Sequence, residues 1–192
     1  MTAAPRRCQQ PPAGRAAATA AEVQARVPVL VTDRLRLRAP RMDDLPLWTR
    51  IFAAPPFEVD AEQAWTEFAN YAAGWLLHGH GLWTVETRDA GVPVGFVLLG
   101  LEWGDEDPEI GWMLSPDHRG RGYATEAAAA VRDHAAATLG PGVAVSYPDA
   151  ANRASVRVAE RLGAWRDTAA EAALDDPGAQ VWRHGRAEEA RA

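Results

Sequence analysis

The chain has 192 residues, 40 of them alanine, so its 47% hydrophobic content overstates the supply of large core side chains; eight Trp make up part of the difference. All 20 cations are arginine against 26 acids, and residues 33–192 alone carry 16 Arg and 25 acids, a body of net charge −9. An acidic body argues against a nucleic-acid binder, and with no apolar run near about 18 residues a transmembrane helix is excluded. The single cysteine, Cys8, excludes a disulfide framework and a cysteine-ligated metal site and suits a reducing cytoplasm.

In chain order, residues 1–26 are Ala, Pro, Gln, Gly and Arg with almost no large apolar residue, which predicts a disordered tail. A folded domain is expected over 27–185, followed by a polar tail at 186–192. Leu35, Leu37 and Ala39 alternate with Arg34, Arg36 and Arg38, predicting a strand with its arginines outward. Asp43 and Asp44 open a helix through Phe52 that Pro55-Pro56 stops. A second helix is expected over 60–77, with Ala64, Trp65, Phe68, Tyr71 and Trp75 as its apolar stripe. Residues 82–87 and 92–101 flank the turn Arg88-Asp89-Ala90-Gly91 and read as a hairpin. An acidic loop, 104–108, leads to a strand at 109–114. Then come a Gly-rich turn, a helix over 123–139, a strand over 143–147 and a helix over 152–162 ended by Gly163. Weak strands near 165–167 and 180–184 complete a single α/β domain.

The segment that carries chemistry is 109–126, a strand running through Arg119-Gly-Arg-Gly122 directly into a helix. The first amides of a helix lack internal partners and sit at the positive end of its dipole. Glycines let such amides close around a phosphate, and Arg119 and Arg121 add charge, so a pyrophosphate-bearing ligand is the physical inference; the alternative is a tight turn with surface arginines. Neither a P-loop nor a dinucleotide fingerprint fits the glycine spacing.

Arg119-Gly-Arg-Gly122-Tyr-Ala124 resembles the Arg/Gln-x-x-Gly-x-Gly/Ala signature of the GNAT N-acetyltransferases, which use acetyl-CoA. Asn152-Arg-Ala-Ser155, followed by a helix ending in Leu162-Gly163, is similar to that family's second cofactor segment. Leu30 to Arg38 with Asp43-Asp44-Leu45, and Gly122-Tyr-Ala-Thr-Glu126, resemble its RimJ/RimL-like branch, whose named members acetylate protein N-termini. The resemblance covers about 30–184. It implies a mixed, mostly antiparallel sheet with helices on both faces and a splayed strand pair, 109–114 and 143–147, that binds acyl-CoA.

It implies site residues as well. Amides of Met113 and Leu114 would hold the pantetheine arm, and amides of Arg119, Gly120, Arg121, Gly122, Tyr123 and Ala124 the pyrophosphate. Thr125 would add a hydroxyl or simply cap the helix, and Asn152 and Ser155 would face the cofactor unless Asn152 is an ordinary N-cap. Glu109 stands where many members place a catalytic carboxylate, with Glu106 and Asp107 as weaker candidates. The tyrosine that often protonates the leaving thiolate is replaced by Ala159, leaving Tyr147 and Ser146 as nearby donors. No metal is implied, since His78 and His80 lack a third ligand, and His118 is expected to face solvent. The expectation is a cytoplasmic, monomeric or homodimeric enzyme acetylating an amine acceptor, a protein N-terminus or a small molecule. A non-catalytic acyl-CoA-binding module is the alternative.

Overall fold

The computed structural model describes residues 5–55, 57–174, 176 and 178–185; the tail expected at 186–192 lies outside them. Residues 5–26, expected to be disordered, contain a 3-10 turn at Arg7–Gln9 and helix α1, Gly14–Gln24, neither with a buried residue. Alanine, the strongest helix former, accounts for α1 in the absence of an apolar face. This segment is fastened through the Cys8 carbonyl, which accepts from Trp65 Nε1 at 3.1 Å.

The rest follows the expected order with shorter strands. β1 (Leu30–Val31) and β2 (Leu35–Arg38) precede a 3-10 turn and α2 (Leu45–Phe52), whose Pro46 lies in the first turn, where no amide partner is needed. α3 (Ala61–Leu77) is capped by Asp60, whose Oδ1 accepts from the Glu62 and Gln63 amides at 2.9 Å. β3 (Leu82–Thr87) and β4 (Pro93–Gly100) form the hairpin, closed by Thr87 N–H on the Val92 carbonyl at 3.0 Å. Then come β5 (Glu109–Leu114), α4 (Tyr123–Thr138), β6 (Val145–Ser146), α5 (Arg153–Arg161), β7 (Trp165–Arg166), α6 (Thr168–Glu171) and β8 (Trp182–Arg183). Gly163, at φ 73°, ends α5 as its position predicts.

The eight strands make one sheet in the order β1-β2-β3-β4-β5-β6-β8-β7. It is mostly antiparallel, with Leu37 opposite both Leu30 and Val85 in its two ladders and Trp182 opposite both Ser146 and Arg166. The β5–β6 step is parallel, Glu109 opposite Val145.

The chain forms two compact units, Met1–Phe96 with Met113–Arg119, and Val97–Trp112 with Gly120–Ala192. The core of the first centres on Trp48, fully buried, stacked on Phe52 at 4.3 Å and edge-on to Phe96 at 5.1 Å and Phe68 at 5.7 Å. Leu35, Leu37, Ile51, Leu82, Trp83 and Val85 are buried in the same unit with 0–1% exposure, each such side chain contributing roughly 1.5–3 kcal/mol by burial.

One residue breaks the expected strand alternation. Arg38, predicted to point outward, is buried, because two carboxylates meet it inside: Asp44 takes its NH1 and NH2 at 2.8 and 2.9 Å, and Glu86 takes its Nε at 2.7 Å. Thr84 Oγ1 and the Arg41 amide complete the donors to Asp44, each at 2.8 Å. A buried charge is tolerable only with this degree of pairing.

In the second unit Val97, Leu99, Ile110 and Val145 from the strands are fully buried with Ala127, Ala128, Val131 and Ala159 from α4 and α5. Small residues let backbones approach closely, and Arg132 on α4 donates to the Leu162 carbonyl at 2.7 Å, satisfying the C-terminal end of α5.

Candidate active site

β5 has six residues and β6 only two, so β5 outruns its parallel neighbour. The ladder opens with Val145 N–H on the Pro108 carbonyl at 2.9 Å. One residue on, a side chain takes over: Ser146 Oγ lies 2.6 Å from the Ile110 carbonyl and 2.8 Å from His184 Nε2. A carbonyl can only accept, so the hydroxyl donates to Ile110 and must accept from His184. That fixes His184 as the Nε2–H tautomer, leaving Nδ1 buried without a partner among the described residues. Burial, aided by the Arg132 charge, pushes His184 down to about 4, so it is neutral. Ser146, expected as a possible proton donor, has its proton committed to Ile110.

Glu109 stands at the head of this parting. Burial, with the charges of Glu102 and Asp105, pushes its carboxyl up to about 7, while the Tyr147 amide donates to it and partly opposes the rise. The Tyr147 phenol is pushed up to about 12 by burial and by Asp105, Asp107 and Glu109, with Arg183 opposing. Glu109 and Tyr147, 38 positions apart in the sequence, are thus brought together where the short ladder ends. Asp107 is set apart: Arg183 NH2 binds it at 2.9 Å while Arg183 Nε binds Asp167 at 3.1 Å, so Asp107 anchors the acidic loop.

Downstream, Gly120 (φ 75°) and Gly122 (φ 79°) are both left-handed, a conformation other residues adopt at a cost, and Gly122 is the N-cap of α4. No side chain caps that helix, and a Cβ at Gly120 would meet nothing within 4 Å. Exposed amides, a positive helix end and open space suit an oxyanion, so the residues fit the diphosphate of acetyl-CoA. Tyr123, Ala124 and Thr125 form the first turn, and the Thr125 hydroxyl is not used as a cap. Arg119 is exposed, but its Nε folds back to the Leu114 carbonyl at 3.1 Å. Met113 is half-buried and Leu114 buried at the end of β5.

Asn152 does serve as the N-cap of α5, its Oδ1 accepting from the Ser155 amide at 3.2 Å, which leaves its amide nitrogen to donate elsewhere. Ala159 is fully buried, so a larger residue there would have to displace core. His118, expected in solvent, is half-buried with Nδ1 lacking a partner among the described residues. His80 is buried and its ring stacks 5.8 Å from that of His78. Sequence reasoning missed His184 altogether; its partner lies 38 positions away, and no local pattern announces the pair.

A strand that outruns its parallel neighbour and passes through left-handed glycines into a helix defines the class, an α/β N-acyltransferase. The chain belongs to the GNAT acetyltransferase family, whose acetyltransferase (GNAT) domain matches residues 34–164. It is 32% identical to the uncharacterized protein YkkB of Bacillus subtilis, over 70% of this chain and 83% of that one. An acetyltransferase from Agrobacterium tumefaciens is 35% identical, with a TM-score of 0.77 over 83% of this chain and 95% of its own. The fold also matches RimL, a ribosomal L7/L12 alpha-N-protein acetyltransferase solved with coenzyme A, at 16% identity and a TM-score of 0.60 over 73% and 85% of the two chains. Among the described residues no helix is long and apolar enough to cross a membrane.

Proposed function

We propose that this enzyme transfers an acetyl group from acetyl-CoA to a primary amine by direct attack, as the RimJ/RimL-like branch does, with a protein N-terminus as the leading acceptor and a small-molecule amine as the other. The observation that carries the reading is Glu109, a carboxylate brought to about 7 at the head of a strand that outruns its neighbour. An alkylammonium must lose its proton before it can attack, and a base with a pKa near the working pH does this best. Acetyl-CoA supplies the thioester whose acyl carbon the amine nitrogen takes.

The chain's own residues do the rest. The backbone of Met113 and Leu114 orients the pantetheine arm and polarises the thioester carbonyl. Amides from Arg119 to Ala124 and the Thr125 hydroxyl hold the diphosphate, with Arg121 adding charge. Asn152, through its remaining amide hydrogens, and Ser155 hold the cofactor further along. Tyr147 stays protonated and directs its O–H at the departing sulfur. A phenol near 12 is a weak acid, but Glu109 loses its charge on taking up the amine proton, which removes one of the forces holding the phenol high. The motif shared with the RimJ/RimL-like branch supports the branch more than the acceptor, because its Arg38 and Asp44 are bonded to each other in the core. Location in the cytoplasm and a monomeric or homodimeric state belong to the same reading.

The test is calorimetric titration with acetyl-CoA and CoA, followed by thiol release with a panel of amines and N-terminal peptides. Wild type should bind in the micromolar range, and Gly122→Trp, folded by circular dichroism, should not. Binding without thiol release for any amine would favour the non-catalytic module, and folded wild type that binds neither compound would end the acyl-CoA reading.

A further inference from the structure

Residues 108–110, 145–147 and 184, where β5 and β6 part, all belong to the second unit. A parallel ladder uses alternate residues of each strand, so two steps along β6 match two steps along β5. Val145 N–H donates to the Pro108 carbonyl at 2.9 Å, and the next bond of that register would join the Tyr147 amide to the Ile110 carbonyl. That carbonyl is instead held by the Ser146 hydroxyl at 2.6 Å, and the Tyr147 amide donates to the Glu109 carboxyl. A side chain has taken the place of a backbone amide, and the amide it released serves the carboxylate.

The exchange depends on where the hydroxyl aims its single proton, since a serine O–H rotates to suit its surroundings. Both Ser146 and Ile110 are buried. His184 Nε2, 2.8 Å from Ser146 Oγ, donates into its lone pair and so turns the proton towards Ile110. The histidine is itself fixed just beyond β8, its backbone N–H on the Ala144 carbonyl at 2.9 Å. Its Nδ1 has no partner among the described residues. A buried nitrogen without a partner costs stability, and an apolar side chain would fill the space without that cost. What the imidazole adds is the donor to Ser146.

We infer that Ser146 and His184 are positioning residues for Glu109: by occupying the Ile110 carbonyl they keep the Tyr147 amide on the Glu109 carboxyl. The inference rests on the reading of Glu109 as the base that takes the amine proton. Glu102 and Asp105 of the acidic loop act on Glu109 in favour of its protonated form, and the Tyr147 amide opposes them. Asp105, Asp107 and Arg183 act on the Tyr147 phenol, and Arg132 on α4 acts on His184. Without the Ser146 hydroxyl the buried Ile110 carbonyl reclaims the Tyr147 amide, and Glu109 then keeps its proton to higher pH.

Two readouts test this: the pH profile of kcat/KM by thiol release, with the amine that the panel above selects, and the Tyr147 amide signal in NMR spectra across the same pH range. In wild type the Tyr147 amide shift should titrate at the midpoint of the acid limb. In Ser146→Ala that response should vanish and the limb should move up by about one pH unit, a tenfold loss of kcat/KM below it. His184→Leu should move the limb the same way by less, and His184→Gln, which keeps an N–H donor, should bring it back towards wild type. A rate loss in Ser146→Ala that is equal at every pH, with the limb unmoved, means a structural role alone and overturns the assignment. A wild-type Tyr147 amide indifferent to the ionisation of Glu109 overturns it too, and needs no variant to fold. An acid limb that survives Glu109→Gln overturns the reading of Glu109 as the base.

Discussion

Glu109 is pulled in two directions, and the balance sets when it can work. Burial and the charges of Glu102 and Asp105 favour its protonated form, while the Tyr147 amide favours the carboxylate. Only the carboxylate can accept a proton, so kcat/KM should rise with pH through about 7 and level off above it. Glu109→Gln should remove that limb and lower kcat by about 100-fold or more, read as thiol release across pH 6–9. Tyr147→Phe separates the partner's role: if the phenol steadies the departing sulfur, kcat falls by about tenfold while CoA affinity holds. A fall in affinity with kcat preserved would instead place Tyr147 in binding.

At the scale of elements, the approach of β4 to β5 depends on Gly95. A Cβ there would run into the Met113 carbonyl and come within 2.9 Å of Leu114 Cα, both backbone atoms that cannot swing aside. Gly95→Ala should therefore lower stability by about 1–3 kcal/mol and, because it displaces the residues assigned to the pantetheine arm, raise the KM for acetyl-CoA. Thermal unfolding and initial rates check the two effects separately. The elements legible in the sequence were those with a local physical signature. The apolar spacing of α2 and α3, the Thr87–Val92 hairpin and the left-handed glycines before α4 each follow from residues a few positions apart. What was not legible depends on distant partners. Arg38 looked like an outward strand residue until Asp44 and Glu86, the latter 48 positions away, gave it a reason to be inside. Ser146 and His184 show no pattern until β8 returns beside β6. Helix α1 was hidden for another reason, since helix propensity without an apolar face looks like disorder in composition.

For the whole molecule, two displaced groups set opposing pH dependences. Glu109 is raised from 4.5 to about 7, so between those values the folded state holds the extra proton and stability falls as pH rises. His184 is lowered from 6.5 to about 4, so there the unfolded state holds the extra proton and stability rises with pH. Each contribution is about 3 kcal/mol, and between pH 4.5 and 6.5 they nearly cancel. Chemical denaturation of wild type should show little slope from these two groups in that window. Glu109→Gln should gain a positive slope there and be the more stable protein at pH 8, whereas His184→Gln should show the negative slope alone. Equal slopes in the two variants would mean that the paired displacement is wrong.

The internal cationic contacts have one further consequence. Arg38 on Asp44, Arg132 on the Leu162 carbonyl and Arg183 between Asp107 and Asp167 all end in guanidinium, in a chain without a single lysine. Thioesters acylate free amines without catalysis, and guanidinium, which keeps its protons throughout the physiological range, offers no such nitrogen. An enzyme that keeps a reactive acyl donor on its surface thus has no side-chain amine for that donor to modify, so its ion pairs are chemically inert towards its own cosubstrate.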